Sequence, residues 1–427
     1  MSNTAVRRDY RVKRRISIVI MLLLWVLEAS LAGAEEIYSY AIGSGSRVYQ
    51  YEEILGYYQL HSPAYQKSSV TYRIEALSAT LATEGYDTIN REYTDVLVKL
   101  SELNSTRSAL KAYAAEITDS AVLEEIDIQL TAMETQINQY NKNAGSARVS
   151  LAEAKLQEEV AEFYDNNEYL LTSKVQAELK NDFLRKCYGL ILKKEQLDYY
   201  IAYQSYLNTF REVQAIKYQK GYISQVALEE ADANLLKNEA VLLKNQAAYD
   251  TSLASIQQET KLGNDISFSF KLSAERKEYK LEELQTIFLS KNIGLKQLAN
   301  YTISYLNYRN SGFAKSQALT SQIDLKIRDY DLQDEALRTD IKNYVREAVA
   351  SYENSFRTFE MAKSERKRKT KQLEIVTAKK THKRATELEV NQASYEKEAA
   401  EINYFQSYYD IIVWQNILDN HIYGAVP

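Results

Sequence analysis

Few residues in this 427-residue chain could do covalent or redox chemistry. One cysteine, Cys187, cannot form an intramolecular disulfide or a thiolate zinc site. No histidine lies near it in sequence, and its place in the helical run Phe183–Leu192 predicts a buried, inert thiol. His61, His382 and His421 are far apart and offer no ligand spacing. The adjacent carboxylates Glu52-Glu53 could suggest acid–base work, but neighbouring side chains on a helix diverge, and a capping role suits them better. No nucleophile, metal or phosphate motif is present, so neither catalysis nor a cofactor is expected.

Two features could bind rather than react. Ala362–Arg384 carries ten Lys/Arg against two acids. It could meet an anionic lipid surface or an acidic protein, or be a solvated helix face. The chain also has 35 tyrosines, including Tyr199, Tyr200, Tyr203 and Tyr206, and Tyr404, Tyr408 and Tyr409. They could stack on aromatic ligands, but tyrosines at 3–4 spacing more often pack in helix seams with the hydroxyl reaching water.

The elements that must carry these residues are long helices. The chain holds only 12 Gly and 2 Pro, and the prolines are Pro63 and Pro427. Sandwiches, barrels and doubly wound sheets need far more turn residues than this. At the start, Arg7, Arg8, Arg11, Lys13, Arg14 and Arg15 precede the apolar core Ile16–Leu27 and the small-residue site Ala32-Gly33-Ala34. This is the pattern of an export signal over 1–34; an uncleaved anchor is the other reading. Its removal would take the net charge from −5 to −9, which disfavours nucleic acid as a partner. No later stretch is apolar enough for a helical span.

Heptad spacing runs through Tyr93, Val96, Leu100, Leu103, Leu110, Tyr113 and Ile117, and again through Leu123, Ile126, Leu130, Met133, Ile137 and Tyr140. Asp119-Ser120 can cap a helix between them, and Asn141–Ser146 reads as the next turn. Over 226–262 there are two seams. Leu228, Ala231, Leu235, Leu242 and Tyr249 mark one; Ala233, Ala240, Ala247 and Ala254, with Leu236 and Leu243 beside them, mark another. Two seams mean neighbours on two sides, as in a closed ring of helices or an ordinary bundle. Leu262-Gly263-Asn264 reads as a glycine stop, and Asp265–Phe270 as one strand rather than a sheet.

The chain also repeats itself. Tyr49–Gln66 aligns without gaps on Tyr279–Lys296, and Gly221, Ser224, Leu228 and Ala231 fall on Lys383, Thr386, Val390 and Ala393 at an offset of 162. The expected division is an export signal over 1–34, a first repeat over 35–265, a second over 266–420 and a tail over 421–427. Each repeat has a short helix and then a long helical hairpin, turning near 221 and near 383. The first carries about 70 extra residues, a coiled-coil insertion at about 80–150. The outgoing helix of the first hairpin is expected from about Thr172 to Lys220, ~70 Å at 1.5 Å per residue. The fold class is all-α with little or no β.

The two repeats, the turn residues Lys217-Tyr218, Gly221, Ser224, Leu228 and Ala231, and the closing Leu262-Gly263 resemble the TolC family of outer-membrane efflux ducts. The short opening helix of that family, usually ending in Asn-Pro, is matched by Ser62-Pro63 and Asn292-Ile293. The resemblance implies a homotrimer whose hairpins form a twelve-helix tunnel. It also implies a periplasmic adaptor (membrane fusion protein) fed by an inner-membrane transporter. The adaptor would meet the turns at Tyr218, Gly221, Tyr222 and Ser224 and at Lys383 and Thr386. One departure is expected: 67–175 and 298–332 lack the alternating strands of the family's barrel, with Asn310-Ser311-Gly312 the only break in the latter. The barrel is lost or replaced by helices. A coiled-coil spacer or surface protein with no transport role is the alternative.

Overall fold

A computed structural model describes residues 38–42, 47–263, 266–272, 276–312 and 317–419. The export signal and the tail lie outside them. Eight helices and three short strands follow in the order β1 (Tyr38–Ile42), β2 (Arg47–Gln50), α1 (Tyr51–His61), α2 (Pro63–Ala114), α3 (Ser120–Gln219), α4 (Gln225–Thr260), β3 (Ile266–Leu272), α5 (Leu281–Lys291), α6 (Ile293–Asn310), α7 (Gln317–Thr381) and α8 (Glu387–Asp419). The all-α reading holds.

Helix starts follow local chemistry. Asp119 caps α3 through its carboxylate, which accepts from the Ala121 N–H at 2.9 Å. Gln50 and Glu53 form a capping box at α1, the role foreseen for the Glu52-Glu53 pair. Ser62 and Asn292 cap α2 and α6, each accepting from the N–H three residues on. Gly312 closes α6 at φ +74°, as the Asn310-Ser311-Gly312 break predicts.

Three local expectations fail. Asn141–Ser146 is no turn but lies inside α3, which runs unbroken for 100 residues from Ser120, ~150 Å, and not from Thr172. Packing on both sides of it overrides the turn-like composition: α3 runs along α2, with Ile137 buried, and Ala152 is buried against Tyr308 of α6 and Ile323 of α7. A Cβ on Gly145 would meet nothing, so Gly145→Ala is expected to stabilise the chain by about 0.5–1 kcal/mol, read as a raised denaturant midpoint. The stop after α4 is Lys261, left-handed at φ +58°, rather than Gly263. The strand near 265–270 also has company, because β3 sits between β1 (antiparallel) and β2 (parallel). Backbone groups of the segments ahead of both short opening helices satisfy one another there.

One contiguous core surrounds this sheet. Ile54 and Tyr58 of α1, Phe183 and Ile191 of α3, Ile256 of α4, Phe268 and Phe270 of β3, Phe288 of α5, Val345 and Tyr352 of α7 and Ile411 of α8 are all buried in it. Tyr58 stacks on Phe183 with ring centroids 4.1 Å apart. Cys187 is buried here too, as expected, and that burial pushes its thiol pKa upward.

The long helices do not close into a solid bundle. On the side of the turns, α4 packs on α3, α3 on α8 and α8 on α7. On the other side α2 packs on α3, α3 on α6 and α6 on α7. In neither row do the outer members, α4 with α7 or α2 with α7, pack along each other. Each row is an open wall four helices wide. Beyond α6 the paired α2 and α3 continue to the connection at 115–119, with the foreseen seams facing one another: Ile126 and Ile137 are buried and Tyr93, Val96, Leu100 and Leu130 half-buried. The segment expected to replace strands is this helical hairpin. No described helix is long and apolar enough to cross a membrane.

Candidate functional site: the paired turns and the open wall

The two turns lie at the same end of the molecule. Asn391, early in α8, donates to Thr209 Oγ1 at 2.8 Å, late in α3, which sets the turn after α3 beside the turn before α8. Both are closed the same way. The Gly221 N–H donates to Tyr218 O at 2.8 Å and the Tyr222 N–H to Lys217 O at 2.9 Å. In the second turn, the Lys383 N–H donates to Lys380 O and the Arg384 N–H to Lys379 O, both at 2.8 Å. Each is a Schellman closure, which requires a left-handed residue. Gly221 sits at φ +72° and Lys383 at φ +57°. Lysine therefore holds the glycine's conformation at a steric cost. Lys383→Gly is expected to stabilise the chain by about 1 kcal/mol and Gly221→Ala to destabilise it by at least as much, measured as opposite shifts in urea midpoint.

The returning helices start alike. Ser224 Oγ accepts from the Ala227 N–H at 3.3 Å. Thr386 Oγ1 accepts from the Glu389 N–H at 3.2 Å while the Glu389 carboxylate accepts from the Thr386 N–H at 2.7 Å. Those bonds from Thr386 hold the Glu389 carboxyl below its usual range. Tyr222 is 76% exposed and Tyr218 41%, so the first turn presents two aromatic rings to solvent. The structure brings Tyr218, Gly221, Tyr222, Ser224, Lys383 and Thr386 to one end, as two copies of one motif.

Of the basic run over 362–384, Arg366 pairs with Glu401 at 2.5 Å and Lys369 with Glu396 at 2.6 Å, both across the α7–α8 seam. Arg368 pairs with Glu365, and Lys380 with Glu387. Much of that charge stitches the second hairpin together. The tyrosines likewise pack. Tyr199, Tyr203 and Tyr206 form a ladder along α3 with centroids 5.9 and 6.0 Å apart, and Tyr395 of α8 lies 5.2 Å from Tyr203 and 4.9 Å from Tyr206. They are the α3–α8 seam.

The wall itself carries what sequence reading foresaw on α4. Ala231 and Tyr249 of the first seam are buried against α3. Ala233, Ala240, Ala247 and Ala254 of the second are exposed, with Leu236 65% and Leu243 72% exposed beside them. Their counterparts in the second hairpin, 162 residues on, are engaged: Tyr395 answers to Ala233 and packs on the tyrosine ladder, and Phe405 answers to Leu243 and is buried. On α7, Met361 answers to Tyr199 of α3 and is 74% exposed. Inside the chain the second face of a returning helix meets the next outgoing helix. At the two edges of the wall the same faces are bare.

A buried charge cluster lies where α3, α7 and α8 meet. Glu401 takes Arg366 at 2.5 Å and Lys397 at 3.3 Å. Glu195 of α3 faces it, 5% exposed; burial first, then the nearby Glu401, Asp198 and Glu398, push its pKa up to about 8. Asp198 is its only sequence neighbour among the groups that act on it most; Glu401, Glu398 and Lys397 come from α8, about 200 residues away.

No family model matches the sequence, and no curated protein matches it. Among solved structures, the chain is similar to the Campylobacter jejuni CmeC outer membrane channel, with TM-score 0.45 and 10% identity over 67% of this chain and 68% of that one. It is similar to the outer membrane protein VceC of Vibrio cholerae, with TM-score 0.46 and 11% identity over 65% and 76%. The open state of the Neisseria gonorrhoeae MtrE outer membrane channel gives TM-score 0.45 and 10% identity over 64% and 70%. Each of these alignments spans about two thirds of this chain.

Proposed function

We propose that the chain is a TolC-like duct component, exported to the cell envelope, in which three copies close into an α-helical tunnel. The observation that carries this reading is the open wall. Four long helices stand in a row, the joint between the two hairpins is made inside the chain, and no described residue occupies the matching faces at the two edges. A heterologous contact that repeats an internal joint gives a ring when its rotation closes on itself, and an open filament otherwise. The division into a signal over 1–34, repeats over 35–265 and 266–420 and a tail belongs to this reading, supported by the matched helix order and the twin turns.

In the assembled ring the twin turns stand at one rim. There they are the surface for a periplasmic adaptor of the membrane-fusion type, fed by a transporter, with Tyr218 and Tyr222 as the apolar contacts. The remaining bases of 362–384 sit near this rim, facing an anionic surface. No side chain is assigned chemistry; the duct conducts, and its selectivity lies in the opening of the turns. Mass photometry and negative-stain electron microscopy of the full exported chain test the reading. Hollow trimers are the expected result. A monomeric rod would leave only a coiled-coil spacer.

A further inference from the structure

Above the core, α2 carries an apolar stripe that nothing among the described residues covers. Val70 is 56% exposed, Ile74 62%, Leu77 56% and Leu81 67%. Their 4–3–4 spacing is a heptad seam. The hairpin contact with α3 uses a different face, on which Ser68, Ala76 and Ala79 are buried. The stripe is one residue wide, and Arg73, Glu75 and Ser78 beside it are exposed. That is the dressing of a helix–helix seam, not of a surface facing hydrocarbon.

The second repeat shows where such a face belongs. At the offset of 230 that relates Ser62 to Asn292, the four positions become Asn300, Ser304, Asn307 and Ser311. This face of α6 packs on α3: Asn300 donates to Glu159 O at 3.3 Å, Asn307 to Glu159 Oε2 at 3.0 Å, and Ser304 is 1% exposed. The segment of α3 it meets corresponds, at the offset of 162, to the start of α7. There Glu159 becomes Ser321, and Phe163, 4% exposed, becomes Leu325, 67% exposed. Both halves of the internal joint therefore reappear exposed at the two edges; the α2 half is aliphatic where α6 carries Asn and Ser, and on α7 a serine stands where α3 has the Glu159 carboxylate.

We infer that the Val70–Ile74–Leu77–Leu81 stripe docks on the Ser321–Leu325 face of α7 in a second copy of this chain. The contact repeats the α6–α3 joint between subunits and extends the tube wall upward with helices. It rests on the ring reading above and goes further, because it places an all-helical inter-subunit belt on the far side of the core from the turns. The stripe stops at Leu81, and the position equivalent to Asn310 is Thr80; beyond it Glu84, Thr88 and Arg91 continue the same face with polar groups. The belt ends there, and the rest of the α2–α3 hairpin projects past it.

Cysteine pairs in the full exported chain test this, since native Cys187 is wholly buried. Leu77→Cys with Ser321→Cys, oxidised with copper phenanthroline, is expected to give dimers and trimers on a non-reducing gel. Each single variant should give no trimer. Ala233→Cys with Met361→Cys probes the tunnel wall near the turns independently. Trimers from that pair but none from Leu77/Ser321 would overturn the belt and leave the ring standing. Trimers from Leu77/Ser321 alone would keep the belt and remove the tunnel, and none from either would end both. Quenching of a bimane label at Leu77 by lipid-attached quenchers in native membranes would also overturn the belt, since the stripe would then face lipid.

Discussion

A Glu195→Gln variant is expected to melt well above the parent at pH 8 and level with it near pH 4.5. The folded-state pKa of Glu195 is raised from its ordinary 4.5 to about 8, chiefly by burial and then by the carboxylates of Glu401, Asp198 and Glu398. An acid raised in this direction binds its proton more tightly folded than unfolded. Its contribution to stability is therefore greatest below the unfolded value, falls as pH climbs through the window from 4.5 to 8, and levels off above it. A shift of that size corresponds to a loss on the order of 3–5 kcal/mol across the window. Glutamine keeps the shape and cannot ionise, so the slope should vanish with it. Thermal melts at half-unit steps of pH check this; a variant whose melting temperature tracks the parent at every pH would refute it. Glu401→Gln, by contrast, should destabilise, because it removes the buried carboxylate that pairs with both Arg366 and Lys397.

The second large effect is on assembly. Leu236→Asp combined with Leu243→Asp is expected to leave the chain folded and single. Both side chains are mostly exposed in the isolated chain, so the fold loses little, whereas a closed ring would bury two carboxylates in the Ala/Leu seam of α4. Even ~3 kcal/mol per joint is about a hundredfold in association, and a ring incurs it at every joint. Mass photometry should find single chains with the parent's far-ultraviolet dichroism. Persistence of trimers would place the joint on another face.

What could be read in the sequence, and what could not, follows from range. The two seams of α4 were legible because four alanines at heptad spacing lie on a different face from Ala231 and Tyr249, and a helix repeats its geometry locally. The caps at Asp119 and Ser224 and the left-handed Gly221 were legible for the same reason. The sheet was not: β1 and β2 are 5 and 4 residues long, and their partner β3 lies more than 200 residues away. Nor was the continuity of α3 through Asn141–Ser146, where contact with α2 outweighs the local preference for a turn. The twin turns showed through although Lys383 replaces glycine, because the caps that follow them match. The stripe on α2 was present in the spacing of Val70, Ile74, Leu77 and Leu81; only the bare exposure of those side chains gave it meaning.

The unbroken course of α3 has a mechanical consequence. It is the one element that reaches from the tip of the protruding hairpin to the first turn, and within its 100 residues there is no proline and no change of helical state. The two extremities are therefore joined by one continuous helix, on which the Gly145-Ser146 pair is the place where a bend would be taken up.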